Sequence, residues 1–209
     1  MATVFRFSLV IILLLQTFIS VAKKDLVEAA KERLNHFIIY DGKYQQIAYP
    51  NGDVDKNKGV CTDLVIRSYR TLGIDLQQLV HEDMLSNFDK YSNYWGLKKP
   101  DSNIDHRRVP NLETFFIRHA QILPITKNPQ DYAPGDIVTW RIKKNYPHIG
   151  IVSDEPAKTN NNRMQIIHNI GLGPQMEDML FDYEIVGHFR YQPNHARKTT
   201  AITKSITHD

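Results

Sequence analysis

Apolar residues recur at helical spacing through the first half of the chain and at strand spacing through the second. Leu26, Ala30, Leu34, Phe37 and Ile38 share one face and predict a helix over 25–38, with Asp25 as its N-cap and Glu28 three residues on. Residues 40–59 are rich in Tyr, Asn, Asp, Gly and Lys and read as a long loop. A second helix is predicted over 61–72, where Cys61, Leu64, Val65, Ser68 and Leu72 lie close to one face and Gly73 provides the stop. Leu76, Leu79, Val80, Met84 and Phe88 predict a third over 75–89, and a short fourth follows Pro110 over 111–119. The period then changes. Strands are predicted at 137–142, 149–152, 164–170 and 184–191, with the polar run 158–163 as a hairpin loop. Helices first and antiparallel strands later is an α+β arrangement in one domain, 23–192, followed by a polar tail over 193–209.

The N-terminus follows a different pattern. Arg6 precedes an apolar run from Phe7 to Leu15, small residues stand at Ser20 and Ala22, and two lysines follow. A charged start, a short apolar segment and a small-x-small site predict a secretory signal peptide over 1–22. Gln16 and Thr17 interrupt the run well short of the ~20 apolar residues a spanning helix needs. Nothing later in the chain is long and apolar enough to cross a bilayer. The mature protein is therefore expected to be exported, periplasmic or secreted, and soluble.

Composition narrows the function classes. The 209 residues are 42% hydrophobic, 10% aromatic and 23% charged, an ordinary globular balance. The 26 basic residues exceed the 23 acidic ones by only three, which gives no argument for a nucleic-acid partner. The sequence pI near 8.8 permits an anionic partner such as a bacterial wall. One cysteine excludes an internal disulfide. A lone thiol in an exported protein is either buried and inert or reactive for a purpose.

Cys61 falls in the first turn of its predicted helix, where unpaired backbone N–H groups and the helix dipole favour a thiolate. That placement predicts a thiol pKa lowered from ~8.5 into the range of roughly 3.5 to 7.5. A nucleophilic thiol also needs a base and a group that orients the base. His148 opens the strand His148-Ile149-Gly150-Ile151-Val152, and His168 lies within Ile166-Ile167-His168-Asn169-Ile170. Neighbouring antiparallel strands would bring the two imidazoles side by side.

Taken together, Gly59-Val60-Cys61-Thr62-Asp63-Leu64-Val65, Pro134-Gly135-Asp136-Ile137-Val138, the His148 strand and His168 resemble the NlpC-type, papain-like cell-wall cysteine peptidases. The resemblance implies an α+β fold with the cysteine helix packed on an antiparallel sheet. It also implies Cys61 as nucleophile, His148 as base and His168 as the orienting third residue. More closely, the chain is similar to the uncharacterised YijF-like group of exported bacterial proteins within that superfamily. The similarity is carried by Tyr49-Pro50-Asn51-Gly52-Asp53-Val54, 59–69, His81-Glu82-Asp83-Met84, 103–112, 147–154, 168–173 and Gly187-His188-Phe189-Arg190. The implied activity is a thiol-dependent amide hydrolase acting on peptidoglycan stem peptides or related amides, without a cofactor.

Two features depart from the better-known peptidases. Val60-Cys61-Thr62-Asp63 stands where Asp-Cys-Ser-Gly is usual, and Asp63 opposes a thiolate unless it faces the helix N-terminus, the placement expected here. The stretch from Gly73 to Gln130 is long and holds Trp95 and the run Asn103-Ile104-Asp105-His106-Arg107-Arg108. That run is expected either to roof the cleft, with Arg107 and Arg108 pairing with wall-peptide carboxylates and Asp105 and His106 as further substrate-binding candidates, or to be a solvated basic loop. The Cys61 backbone N–H is the first oxyanion donor, Tyr44 or Tyr49 is a candidate second, and Asn169 is a further substrate-binding candidate.

Three alternatives compete. A metal site could gather His81, Asp83, Asp105, His106 and His119, but no HExxH or paired-cysteine spacing supports it, and no metal is expected. Gly171-Leu172-Gly173 lacks the strand–GxGxxG–helix context of a nucleotide site. The same fold could instead serve as a non-catalytic wall- or partner-binding module, or the thiol could pass its acyl group to an amine.

Overall fold

The computed structural model describes residues 25–143 and 145–193. The expected signal segment 1–22, and the tail beyond Pro193, lie outside the described residues. Within them, four helices precede an antiparallel sheet, a mixed α+β architecture. No helix among the described residues is long and apolar enough to cross a membrane.

The first helix, α1 (Leu26–Arg33), is capped as expected: the Asp25 side chain accepts from the Glu28 backbone N–H at 2.9 Å. It ends five residues earlier than predicted. Asn35 and His36 donate to carbonyls three residues back, tightening the chain into a turn, and Phe37 is left 82% exposed. The helix buries Val27, Ala29 and Ala30 instead. The segment expected to be a continuous loop carries two short parallel strands, β1 (Ile39–Tyr40) and β2 (Lys58–Gly59). They hold the chain in register immediately before α2 (Cys61–Thr71). Between them, the Tyr49–Val54 motif clamps onto the next helix, α3 (Leu76–Asn87), because the backbone N–H groups of Asn51 and Gly52 donate to Asp75 and Gln77. Gly52 is required there, since a Cβ would meet the Ala48 carbonyl oxygen at 1.8 Å. The fourth helix, α4 (Val109–His119), begins two residues earlier than expected and takes Pro110 into its first turn, where a missing N–H costs nothing.

The sheet has the order β3-β8-β4-β5-β6-β7, with every neighbouring pair antiparallel. Its strands are β3 (Gln121–Ile122), β4 (Ile137–Ile142), β5 (Tyr146–Ala157), β6 (Asn160–Asn169), β7 (Pro174–Glu177) and β8 (Glu184–Arg190). The expected loop 158–163 is a two-residue turn; β6 starts at Asn160, paired with Ala157. Two strands were unforeseen, β3 and β7, because each is too short to show an alternation.

Alternation sorts the sheet into two buried faces. Ile137, Ile149, Ile151, Ile167 and Phe189 pack with the helices, where Cys61, Leu64, Val65, Leu112 and Phe116 also lie. Val138, Trp140, Val152 and Ile166 form a second cluster on the opposite face with Tyr132, Met179 and Leu180. The Pro134-Gly135-Asp136 turn is anchored under this sheet. Asp136 is fully buried and accepts from the Ala133 backbone, from His188 and, through two nitrogens, from Arg190. Burial alone would push its carboxyl up, but the hydrogen bonds from His188 and Arg190 win and hold it below the usual range. The Gly187-His188-Phe189-Arg190 motif is thereby explained as a structural partner of the Pro-Gly-Asp turn.

Candidate active site

Cys61 is the first residue of α2, following Val60 in extended conformation. The N-cap side chain cannot cap, so Asp63 reaches back and accepts the Val60 backbone N–H at 2.7 Å. The acid therefore faces the helix N-terminus, as the sequence predicted. Arg107 lies against it, with Nε and Nη2 at 2.9 and 3.0 Å from its two carboxylate oxygens. Thr62 donates to the Arg107 carbonyl at 3.1 Å. The first turn of α2 is thus braced from behind by the 105–107 segment.

The position of the sulfur follows from hydrogen-bond parity. Gly135 and Val152 bond toward β4, so Ile149, three residues from Val152, turns its N–H toward β6. Pairing of β5 with β6 stops at Gly150 and His168, which leaves that N–H unpaired by the ladder. That N–H lies near enough to the Cys61 thiol to pull its pKa down. Cys61, on the helix face, is thus close to the backbone directly following His148.

His148 and His168 lie on the other face, brought together by β5 and β6. His148 Nε2 and His168 Nδ1 are 2.9 Å apart with their rings nearly perpendicular, and His168 Nε2 is 2.8 Å from Glu177 Oε1. The carboxylate fixes the protonation order, because an ionised Glu177 can only accept. His168 therefore carries its proton on Nε2 and offers a lone pair at Nδ1, which accepts the Nε2 proton of His148. The lone pair of His148 is left on Nδ1. Gly150 makes the approach possible: a Cβ there would meet Ile166 Cγ2 at 2.7 Å and His168 Cβ at 3.2 Å.

Charge at the site differs from the sequence-based expectation. Cys61 is only 5% exposed, and burial pushes its thiol up to about 12. The Ile149, Thr62 and Cys61 backbone N–H groups pull it down, while the Asp63 charge adds to the rise. The helix-terminus effect is present but smaller than the desolvation. Burial, and then the charge of His168, push His148 down to about 3. Burial lowers His168 as well, against the pull of Glu177. Cys61 and His148 are therefore both held toward their neutral forms.

The remaining candidates separate. Tyr44 and Tyr49 are not at the thiol: Tyr44 donates to Asp101 at 3.0 Å, and the Tyr49 ring stands edge-on to His81. The hydroxyl within reach of the sulfur is that of Tyr40, whose phenol is pushed up by burial and then by Cys61. Tyr40 carries no sequence signal, because β1 is only two residues long and shows no alternation. Asp105 and His106 are buried with no access to a cleft mouth; Asp105 bonds His81 Nδ1 at 2.9 Å and the Asp101 backbone N–H at 2.7 Å. Arg107 is consumed by Asp63 and by the Asp41 and Lys43 carbonyls, so it neither reads substrate nor lies in solvent. Arg108 is half-buried over the Trp95 ring at 4.2 Å. The run 103–108 is a buried brace rather than a roof or a solvated loop. His81 pairs with Asp105 while His119 pairs with Asp83, so the proposed metal set divides into two, and among the described residues no three such groups converge. Asn169 is buried beside His168 and lines a groove of about 500 Å³ that begins at Gly59 and Val60. Glu177 had no sequence signal, since β7 has no periodic pattern to place it.

Residues 27–191 match a family described as a domain of unknown function, DUF1287. The chain is also similar to the uncharacterized protein YijF of Escherichia coli (strain K12), with 52% identity over 166 residues, covering 79% of this chain and 80% of the relative.

Proposed function

The chain belongs to the DUF1287 family, a domain of unknown function, and from that premise and the site we propose an exported, thiol-dependent amide hydrolase of the papain-like, NlpC-type class, acting on peptidoglycan stem peptides or related amides. The observations that support this reading are the relay His148–His168–Glu177 on β5, β6 and β7 and, in the first turn of α2, Cys61 packed against the same sheet. The cysteine in the first turn of a helix packed on an antiparallel sheet supports the fold class.

In the proposed reaction, Cys61 Sγ attacks the amide carbonyl carbon as its proton passes to His148 Nδ1. The transfer is concerted with attack, so no thiolate has to accumulate. The oxyanion is held by the Cys61 backbone N–H and the Tyr40 hydroxyl. The C–N bond breaks as His148 gives the proton to the departing amine, leaving a thioester. Water then attacks the thioester, delivering a proton to His148. The C–S bond breaks, and the proton returns to Sγ. His168 and Glu177 are positioning residues that keep the lone pair on Nδ1.

The burial that leaves both Cys61 and His148 neutral favours a second reading, in which the same groove binds wall fragments without cleaving them. Incubation with stem-peptide fragments followed by mass analysis separates the two. Hydrolysis adds one water per cut bond and is abolished in Cys61→Ala. It falls by roughly 10²–10⁴-fold in His148→Ala, the usual worth of a general base. Intact fragments between pH 6 and 9, with the fragments bound, would establish the binding module instead.

A further inference from the structure

The groove lined by Gly59 and Val60, the two residues before Cys61, continues along α2. Asp63, Leu64, Arg67, Arg70 and Thr71 all line it and recur at three- and four-residue spacing, so it follows one helix face. From Val60 to Thr71 that face runs ~16 Å, at the rise of an α-helix. Four basic side chains, Arg33, Lys56, Arg67 and Arg70, line it against two acidic ones, Asp53 and Asp63.

Both acids are already neutralised by the chain itself. Asp63 is taken by Arg107, which lies outside the groove lining. Asp53 receives Nε and Nη2 of Arg67 at 2.9 and 3.1 Å, and Nη1 of Arg70 at 2.9 Å. Arg33 Nη2 pairs with Glu32, outside the groove lining, at 3.0 Å, so the excess positive charge rests on Lys56 and on Arg67 and Arg70, which share Asp53. The groove also has unspent donors. Nε of Arg33 and Nε of Arg70 are buried and make no hydrogen bond among the described residues. A buried guanidinium N–H without a partner is costly, and a carboxylate is the group whose geometry best satisfies it. Lys56 stands exposed at the same groove.

We infer that this groove is the substrate subsite and that Arg33, Lys56 and Arg70 select a peptide segment bearing a free carboxylate within ~16 Å of the reacting amide. The inference rests on the proposed site at Cys61 for its direction, but it concerns binding and is testable without turnover. The probes are three acetylated peptides titrated into the Cys61→Ala protein: Ac-Ala-Glu-Ala-amide, Ac-Ala-Gln-Ala with a free terminus, and neutral Ac-Ala-Gln-Ala-amide. Nitrogen–proton NMR follows the Arg33 and Arg70 Nε–H signals.

At least one carboxylate peptide is expected to bind about tenfold more tightly than the neutral one, to shift those signals, and to weaken as salt is raised. Which of the two binds identifies a side-chain or a terminal carboxylate as the group read. Arg33→Gln combined with Lys56→Gln should remove the preference. Neither change breaks the Asp53 cluster, so the fold is retained. Equal binding of the neutral peptide, no binding of any peptide at millimolar concentration, or a preference that survives in the double variant would each overturn the inference. A preference seen in a protein that cleaves nothing leaves the groove standing and removes the hydrolase. Cleavage without a preference does the reverse.

Discussion

At the scale of single residues, burial decides the state of Cys61. Three backbone N–H groups, two of them from the helix terminus, pull its thiol down, yet desolvation pushes it up to about 12. The thiolate fraction at neutral pH is accordingly minute. Alkylation by iodoacetamide should climb about tenfold per pH unit from pH 7 through pH 9.5, because only the thiolate reacts. A plateau below pH 7 would mean a preformed ion pair and would contradict the neutral resting state. His148, pushed down to about 3 by burial and by His168, is likewise neutral, so His148→Ala should leave that slope unchanged in the absence of substrate. The sequence singled out Cys61, His148 and His168, because a helix-opening cysteine and histidines within apolar strands each carry a local signature. Glu177 and Tyr40 were not legible: each sits on a strand of two to four residues and gains its role only from what lies across from it.

Among elements, the first turn of α2 depends on a partner from far along the chain. Asp63 caps the helix through the Val60 N–H and is itself held by Arg107, with side chains 4% and 2% exposed. Removing one member of a buried pair leaves an uncompensated charge, which costs about 3 kcal/mol or more. Arg107→Gln should therefore lower the unfolding free energy by about that amount in urea denaturation. A change within about 0.5 kcal/mol, ordinary for a surface substitution, would show that the brace is not needed. The amphipathic periods located α2, α3 and α4 to within two residues, since each buries a continuous stripe. They misjudged the end of α1. Phe37 continues the apolar spacing, but the chain has already turned and has no core to offer it.

For the whole molecule, buried imidazoles set the tolerance to acid. His106 and His148 are both held neutral down to about 3, in each case chiefly by burial. In the unfolded chain they take up protons near 6.5. Between those values the unfolded state binds more protons, so stability is complete above about pH 6.5 and is lost as pH falls through the window. By pH 5 each histidine costs about 2 kcal/mol, a large share of a total of about 5–15 kcal/mol. The unfolding midpoint should drop steeply from pH 6.5 to 5, and the drop should be smaller in His106→Gln. A flat profile over that range would show that the imidazoles are hydrated in the native state.

The α+β order, the main helices and strands and the identity of the cysteine and its two histidines were all determined by the sequence, because burial writes a period into every amphipathic element and reactive side chains are few. The tertiary structure alone decided the rest. Residues 105–107 are apparent substrate readers in the sequence, yet they brace α2 because Asp63 claims Arg107 across 44 positions. The groove has its charge because residues from α1, the Asp53 loop and α2 meet there. Such outcomes depend on which side chains the fold desolvates together, and no period along the chain encodes a distance between elements.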